Sequence, residues 1–165
     1  MTSVNDLTRD MVRRADEVAQ GDNGTFAEVL TAELYQVRHT PDEADWYDCR
    51  NADRGTKFES KSAQVTIDGR DEDSYVPVAG RVRVWRSQLR SLIGAAGSEG
   101  QTAWVVFWLL DEDGGPLEVK RVQPSTVWSW VTDEMNGWDE SGHSNPDLNK
   151  QQKLPLGLVF DSVER

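Results

Sequence analysis

The sequence predicts a single domain of mixed architecture, α/β or α+β. Three observations carry this. The 165 residues suffice for one well-buried domain and are too few for two of ordinary size. The apolar period changes along the chain, from helical spacing near the N-terminus to alternation and short apolar runs further on. The predicted order is helices, strands, a helix, a hairpin, a helix and a strand, with no repeat or low-complexity linker to divide it.

Residues 4–18 carry Val4, Leu7, Met11, Ala15 and Val18, a helical stripe, and Gly21-Asp22-Asn23-Gly24 then breaks the chain. Thr25-Phe26-Ala27-Glu28 reads as a capping box, followed by an amphipathic helix through Phe26, Val29, Leu30, Leu34 and Val37 that ends by Thr40-Pro41. A strand is expected over Trp46 to Arg50. A turn around Asn51 to Gly55 leads into a second strand, running through Val65 and Ile67 to the acidic turn Asp68 to Asp73. Tyr75 to Trp85 is strand-like but interrupted by Pro77 and Gly80, and Arg86 to Ala96 reads as a helix stopped by Gly97. Ala103 to Leu110 is the most apolar strand and is placed centrally, with Leu117 to Val122 as its hairpin partner across Asp113-Gly114-Gly115-Pro116. Pro124 opens a helix to about Met135, a polar loop covers Asn136 to Gln152, and Leu154 to Phe160 forms the last strand. The expected organisation is one unit over 1–165. Its core spans about 25–122, with the helix at 4–19 and the segment 124–160 as additions.

The longest apolar run has eight residues, Ala103 to Leu110, far short of a membrane span. The polar N-terminus does not read as a signal peptide, so a cytoplasmic protein is expected. A lone cysteine, Cys49, forms no internal disulfide, and with only two histidines the chain cannot build a usual structural zinc site. The formal net charge is −11, from 17 Asp and 12 Glu against 13 Arg and only 5 Lys. High Asp with low Lys resembles proteins of salt-loving organisms; the plainer reading is an acidic soluble protein. Either way the balance argues against a generic nucleic-acid coat, which would be basic. It leaves room for a DNA enzyme, because at ~1 M salt the Debye length is about 3 Å and long-range repulsion is screened. From Ser74 to Ser98 there is no Asp, Glu or Lys, yet Arg81, Arg83, Arg86 and Arg90 all lie there. That makes a candidate phosphate-contacting surface. Equally, Arg81 and Arg83 are the solvent side of a strand whose Val82 and Val84 point inward.

Within Lys57-Phe58-Glu59-Ser60-Lys61-Ser62, Glu59 and Lys61 are two apart, so on a strand they share one face while Phe58 and Ser60 take the other. With Asp48 arriving from the preceding strand, two carboxylates and an ammonium can hold a hard divalent cation beside an activated water. A second Glu-x-Lys, Glu118-Val119-Lys120, follows a tight acidic turn and reads as an exposed charge pair on a hairpin.

Tyr47-Asp48-Cys49, Gly55 and Phe58-Glu59-Ser60-Lys61-Ser62 together resemble the signature of the PD-(D/E)XK nuclease superfamily. That group includes archaeal Holliday-junction resolvases, restriction endonucleases and very-short-patch repair nucleases. The resemblance covers about Thr25 to Leu110 and implies a restriction-endonuclease-like mixed central sheet flanked by helices. It also implies magnesium or manganese as cofactor, DNA as partner and substrate, and room for a homodimer. By the same resemblance Asp48, Glu59 and the Ser60 carbonyl would hold the metal. Lys61 would position or deprotonate the attacking water, Gln88 would be the glutamine of the following helix, and Glu28 the leading-helix acid. Glu28 is also the residue that a capping box needs. The sequence departs from the pattern in having no Pro before Asp48 and a long acidic loop from Ser62 to Arg81, and Asp45 is an alternative ligand.

His143 reads as a solvated loop residue or an acid–base group, His39 as a helix-end residue, and Cys49 as a buried thiol facing away from the site. Trp128, Trp130 and Trp138 read as core or as a stacking surface. The expected function is a magnesium-dependent DNA endonuclease, resolvase- or repair-like. Its rivals are an acidic DNA mimic and a catalytically inactive nuclease-fold binding module. A lysine inside the carboxylate cluster distinguishes an enzyme from a mimic.

Overall fold

The computed structural model describes residues 2–71 and 74–163. A short 3-10 turn, Val4–Asp6, precedes α1 (Arg9–Ala19). The expected single helix over 4–18 is therefore two pieces. Thr8 is extended and its hydroxyl accepts the Met11 N–H, which starts a new helix there. Of the predicted stripe, Ala15 is fully buried but Val18 is 55% exposed.

The second helix, α2 (Asn23–Tyr35), is capped by Asp22, whose carboxylate accepts the Thr25 N–H at 2.7 Å. The expected capping box at Thr25 is thus displaced by three residues, and Glu28 is free of that duty. The helix stops at Gln36 in the left-handed conformation (φ 54°), before Thr40-Pro41. Thr40 and Pro41 instead belong to a strand the sequence reading missed, β1 (Arg38–Ala44). Pro41 donates no ladder hydrogen bond, which an edge strand tolerates; β1 is the sheet edge, and its register shifts between His39 and Ala44. Glu43 anchors this edge by accepting from Arg50 Nε and Nη2 and from the Tyr47 hydroxyl at 2.6–2.9 Å.

Next come β2 (Tyr47–Arg50) and β3 (Thr56–Gln64), joined by the expected turn. The strand does not run on through Val65 and Ile67. Beyond Gln64 the chain enters a separate hairpin, β4 (Thr66–Asp71) and β5 (Ser74–Ala79). Glu72 and Asp73 of the predicted acidic turn lie outside the described residues. Gly80 ends β5 where a Cβ would overlap the Gln64 carbonyl oxygen, so only glycine fits. Then follow β6 (Arg81–Trp85), α3 (Arg86–Ala96), β7 (Thr102–Leu110) and β8 (Pro116–Val122), all close to expectation.

The predicted helix from Pro124 is α4 (Pro124–Ser129), continued by a π-helical turn at Trp130–Glu134. The predicted last strand is misplaced. β9 (Asp139–Glu140) and β10 (Lys150–Pro155) come earlier, and Leu156–Val159 is a helical turn, α5. Lys150-Gln151-Gln152-Lys153 carries no apolar alternation. It is a strand because it pairs antiparallel with β6, burying Gln152 and Leu154 on one face.

The main sheet has the order β1-β2-β3-β7-β8, mixed because β3 and β7 run parallel while the other neighbours are antiparallel. β7 is buried on both faces, as its unbroken apolar run requires. Val106, Trp108 and Leu110 pack with Cys49 and Phe58 under α1 and α2. Val105, Phe107 and Leu109 pack on the opposite face with α3, α4, β6 and β10. The architecture is α/β, restriction-endonuclease-like, with a mixed sheet between helical layers.

Candidate active site

Glu59 and Lys61 stand opposite Val105 and Phe107 in the parallel ladder, so both project to the α3 side of the sheet. Lys61 Nζ lies 3.0 Å from Glu59 Oε1 and donates to Gln88 Oε1 at 2.8 Å. Gln88, on the first turn of α3, donates its Nε2 to the Asp45 carbonyl at 3.0 Å. A helix from one layer thus clamps the lysine and the β1–β2 turn together. The alternative ligand Asp45 takes part through its main chain, whereas Asp48 adjoins Glu59.

The ladder between β2 and β3 pairs Arg50 with Lys57 and Cys49 with Phe58. One step further, the Asp48 carboxylate itself receives the next main-chain donor: Ser60 N–H donates to Oδ2 at 2.8 Å. The two strands part at a fork closed by a side chain. In an extended strand a residue's N–H and C=O project to the same edge, so the Ser60 carbonyl also faces this fork.

Behind the fork lies a buried polar chain that the sequence did not reveal. Trp108 Nε1 donates to Thr31 Oγ1 at 2.8 Å, Thr31 Oγ1 lies 2.8 Å from the Ser60 hydroxyl, and that hydroxyl is 3.1 Å from Asp48 Oδ1. Thr31 and Trp108 are completely buried. A threonine on the inward face of a helix and a tryptophan in an apolar strand look like packing until the two are seen to meet.

Asp48 and Glu59 are only 5% and 8% exposed. Burial pushes the Asp48 carboxyl up to about 7, reinforced by the charge of Glu59 and, more weakly, Glu28, and opposed by the Ser60 N–H. Burial also raises Glu59, against the pull of Lys61. Glu28 acts on both, yet its own Oε2 is 3.0 Å from His39 Nε2 on β1. His39 is therefore a strand residue paired with a site-lining acid, not a helix end.

Among the described residues no three His, Cys, Asp or Glu side chains converge closely enough to hold a metal by themselves. The oxygens that could serve as donors here are those of two carboxylates and a main-chain carbonyl. They suit magnesium, which binds through one or two carboxylates and keeps several waters. Two buried acids that oppose each other's ionisation, with one ammonium beside Glu59, leave negative charge for a divalent cation to offset.

A family model described as "PD-(D/E)XK nuclease superfamily domain" matches residues 13–161. The chain belongs to that superfamily. No curated protein matches it. The PD-(D/E)XK match extends past Thr25 to Leu110 on both sides, taking in most of α1 and the C-terminal β10 and α5.

The remaining candidates in this PD-(D/E)XK chain are scattered. Arg81 and Arg83 are exposed on β6 with Val82 and Val84 buried between them. Arg86 opens α3, and Arg90 lines a separate depression with Ile93, Gly94, Ser125 and Trp128. The four arginines do not form one surface. Glu118 accepts the Asp161 and Ser162 N–H groups and Lys120 pairs with Asp161, so the second Glu-x-Lys docks the C-terminal turn. Cys49 is buried, donates to the Glu28 carbonyl, and its thiol is pushed up by burial. Trp128, Trp130 and Trp138 pack on the α3-side core, and His143 Nδ1 accepts the Asn145 N–H in an exposed loop.

Proposed function

We propose that this PD-(D/E)XK protein is a magnesium-dependent DNA endonuclease, resolvase- or repair-like, and most plainly that Asp48, Glu59 and Lys61 are its reactive centre. The carrying observation is the fork: two buried carboxylates from adjacent strands, one of them paired with an ammonium that α3 holds in place. Asp48, Glu59 and the Ser60 carbonyl would hold the cation. Bound there, magnesium or manganese supplies Lewis-acid polarisation of the phosphate and a more acidic water. Lys61, fixed between Glu59 and Gln88, orients the attacking water and offers donors to the charge that develops on phosphorus oxygens. Glu28, steadied by His39, adds a third acid at the rim. The exposed Arg81 and Arg83 favour a polyanionic substrate, and a lysine among the carboxylates is foreign to a DNA mimic.

The test is cleavage of branched and duplex DNA by Lys61→Ala and Lys120→Ala. Lys61→Ala should lose activity by about 10²-fold or more, as expected when a positioned proton-transfer or charge-stabilising group is removed. Lys120→Ala should cleave like the parent. Equal activity of both variants would end this assignment.

A further inference from the structure

The geometry points to a phosphate track for one DNA strand along the unpaired edge of β3, completed by Lys153 from β10. This rests on the nuclease reading above and extends it. Beyond the fork at Asp48, no strand among the described residues pairs with that edge of β3. Alternation sends the main chain of Ser62 the same way as that of Ser60. Ser62 lies about 7 Å along the strand from Ser60, the rise of about two nucleotides of one DNA strand.

At that point an open groove of about 670 Å³ begins, lined by Ser62, Ile67, Ala79, Arg81, Arg83 and Lys153. In the β6–β10 ladder Arg83 stands directly opposite Lys153, and both side chains are exposed on one face. Like charges directly opposite each other on a sheet are destabilising. Among the described residues no carboxylate forms an ion pair with Arg81, Arg83 or Lys153, although the chain carries net charge −11. Arg83 instead rests over the Trp85 ring, 5.6 Å from its centroid. Arg83 and Lys153, like charges that cost stability where they stand, together with Arg81 and with no ion pair to any of the three among the described residues, border a groove leading from the fork and fit successive phosphates. A lone phosphate would leave most of that charge unmet. Lys153 has no signal in the sequence, because it is one of two lysines flanking a polar pair and reaches Arg83 only through β10.

The experiment measures binding of a short fluorescein-labelled DNA duplex by anisotropy across a monovalent-salt series, with magnesium present. Lys61→Ala protein is used so that the substrate stays intact. In that background Lys153→Gln should lower the slope of log affinity against log salt by about 0.9, and Arg81→Gln/Arg83→Gln/Lys153→Gln by about three times as much. Arg90→Gln, on another face, should leave the slope unchanged. Comparing each variant with its parent removes the contribution of the overall acidic charge. Melting curves at or slightly above the parent's are expected, because all three side chains are exposed and the substitutions relieve the repulsion between Arg83 and Lys153. Should the triple variant fold poorly, Lys153→Gln alone decides. An unchanged slope in protein that still binds DNA would overturn the track and leave the nuclease reading standing. Failure of the wild-type protein to bind or cut any DNA would overturn that reading instead.

Discussion

At the level of single residues, the fork is electrostatically strained in a way that can be measured. Burial pushes the Asp48 carboxyl in the fold up to about 7, from an ordinary carboxylate value of 3.8. Between these values the unfolded chain has already released the proton that the folded protein still holds. Stability therefore falls as pH rises through that window and is greatest below it. Without metal, Asp48→Asn should melt higher than the parent at pH 7 and lose the advantage near pH 4. The expected gap is a few degrees, since about 1 kcal/mol moves Tm by about 2–4 °C in a chain this long. Melts that coincide at both pH values would show that Asp48 is not destabilised by burial. The chain from Trp108 through Thr31 and Ser60 to Asp48 makes a second prediction. Thr31→Val removes the hydroxyl that joins them, and partners behind a metal ligand typically contribute about 10–100-fold to metal affinity. Manganese titration by calorimetry should show that loss, and Thr31→Ser should restore binding. Tight binding by Thr31→Val would reduce the chain to packing.

Among the elements, the crossing of β3 and the strand pair above it is the sensitive joint. Gly80 lies against the Gln64 carbonyl, where β3 ends and the hairpin begins. Gly80→Ala forces main chain against main chain, an overpacking that costs about 1–3 kcal/mol. A thermal melt should fall by several degrees; an unchanged Tm would mean that β6 slides on β3 freely. The same joint explains why the second strand is shorter than its apolar residues suggest. Val65 and Ile67 continue the alternation, but the Val65 N–H goes to the Leu110 carbonyl, and the Val65 carbonyl accepts the Gly80 N–H, so the chain turns out of the sheet. The edge strand β1 went unread for a related reason. Pro41 argues against any hydrogen-bonded strand, and only a position at the sheet edge, tied by Glu43 to Arg50, makes it tolerable.

For the whole molecule, the excess of Asp and scarcity of Lys bear on the solvent the protein is suited to. A net charge of −11 repels itself in the compact state, and screening relieves that repulsion. We expect Tm to rise steadily with monovalent salt toward ~1 M, where screening acts within about 3 Å. A melt indifferent to salt would leave an ordinary acidic protein in place of a halophilic one.

Much of the arrangement proposed as the site was legible from residue order. Glu-x-Lys on a strand must present both side chains to one face, and an acid ten intervening residues earlier, across a short turn, must arrive on the neighbouring strand. The alternation of Val82 and Val84 with Arg81 and Arg83, the helix from Arg86 to Gly97 and the doubly buried β7 followed from periods of two and 3.6 that local geometry imposes. What sequence could not decide were contacts between segments far apart in the chain. Thr31 meets Trp108, His39 meets Glu28 and Lys153 meets Arg83 because separate layers converge. The strand status of Lys150–Pro155 depends on β6 being there to pair with it. Periodicity records which face of an element is buried; which distant side chain waits on that face is settled only when the layers close.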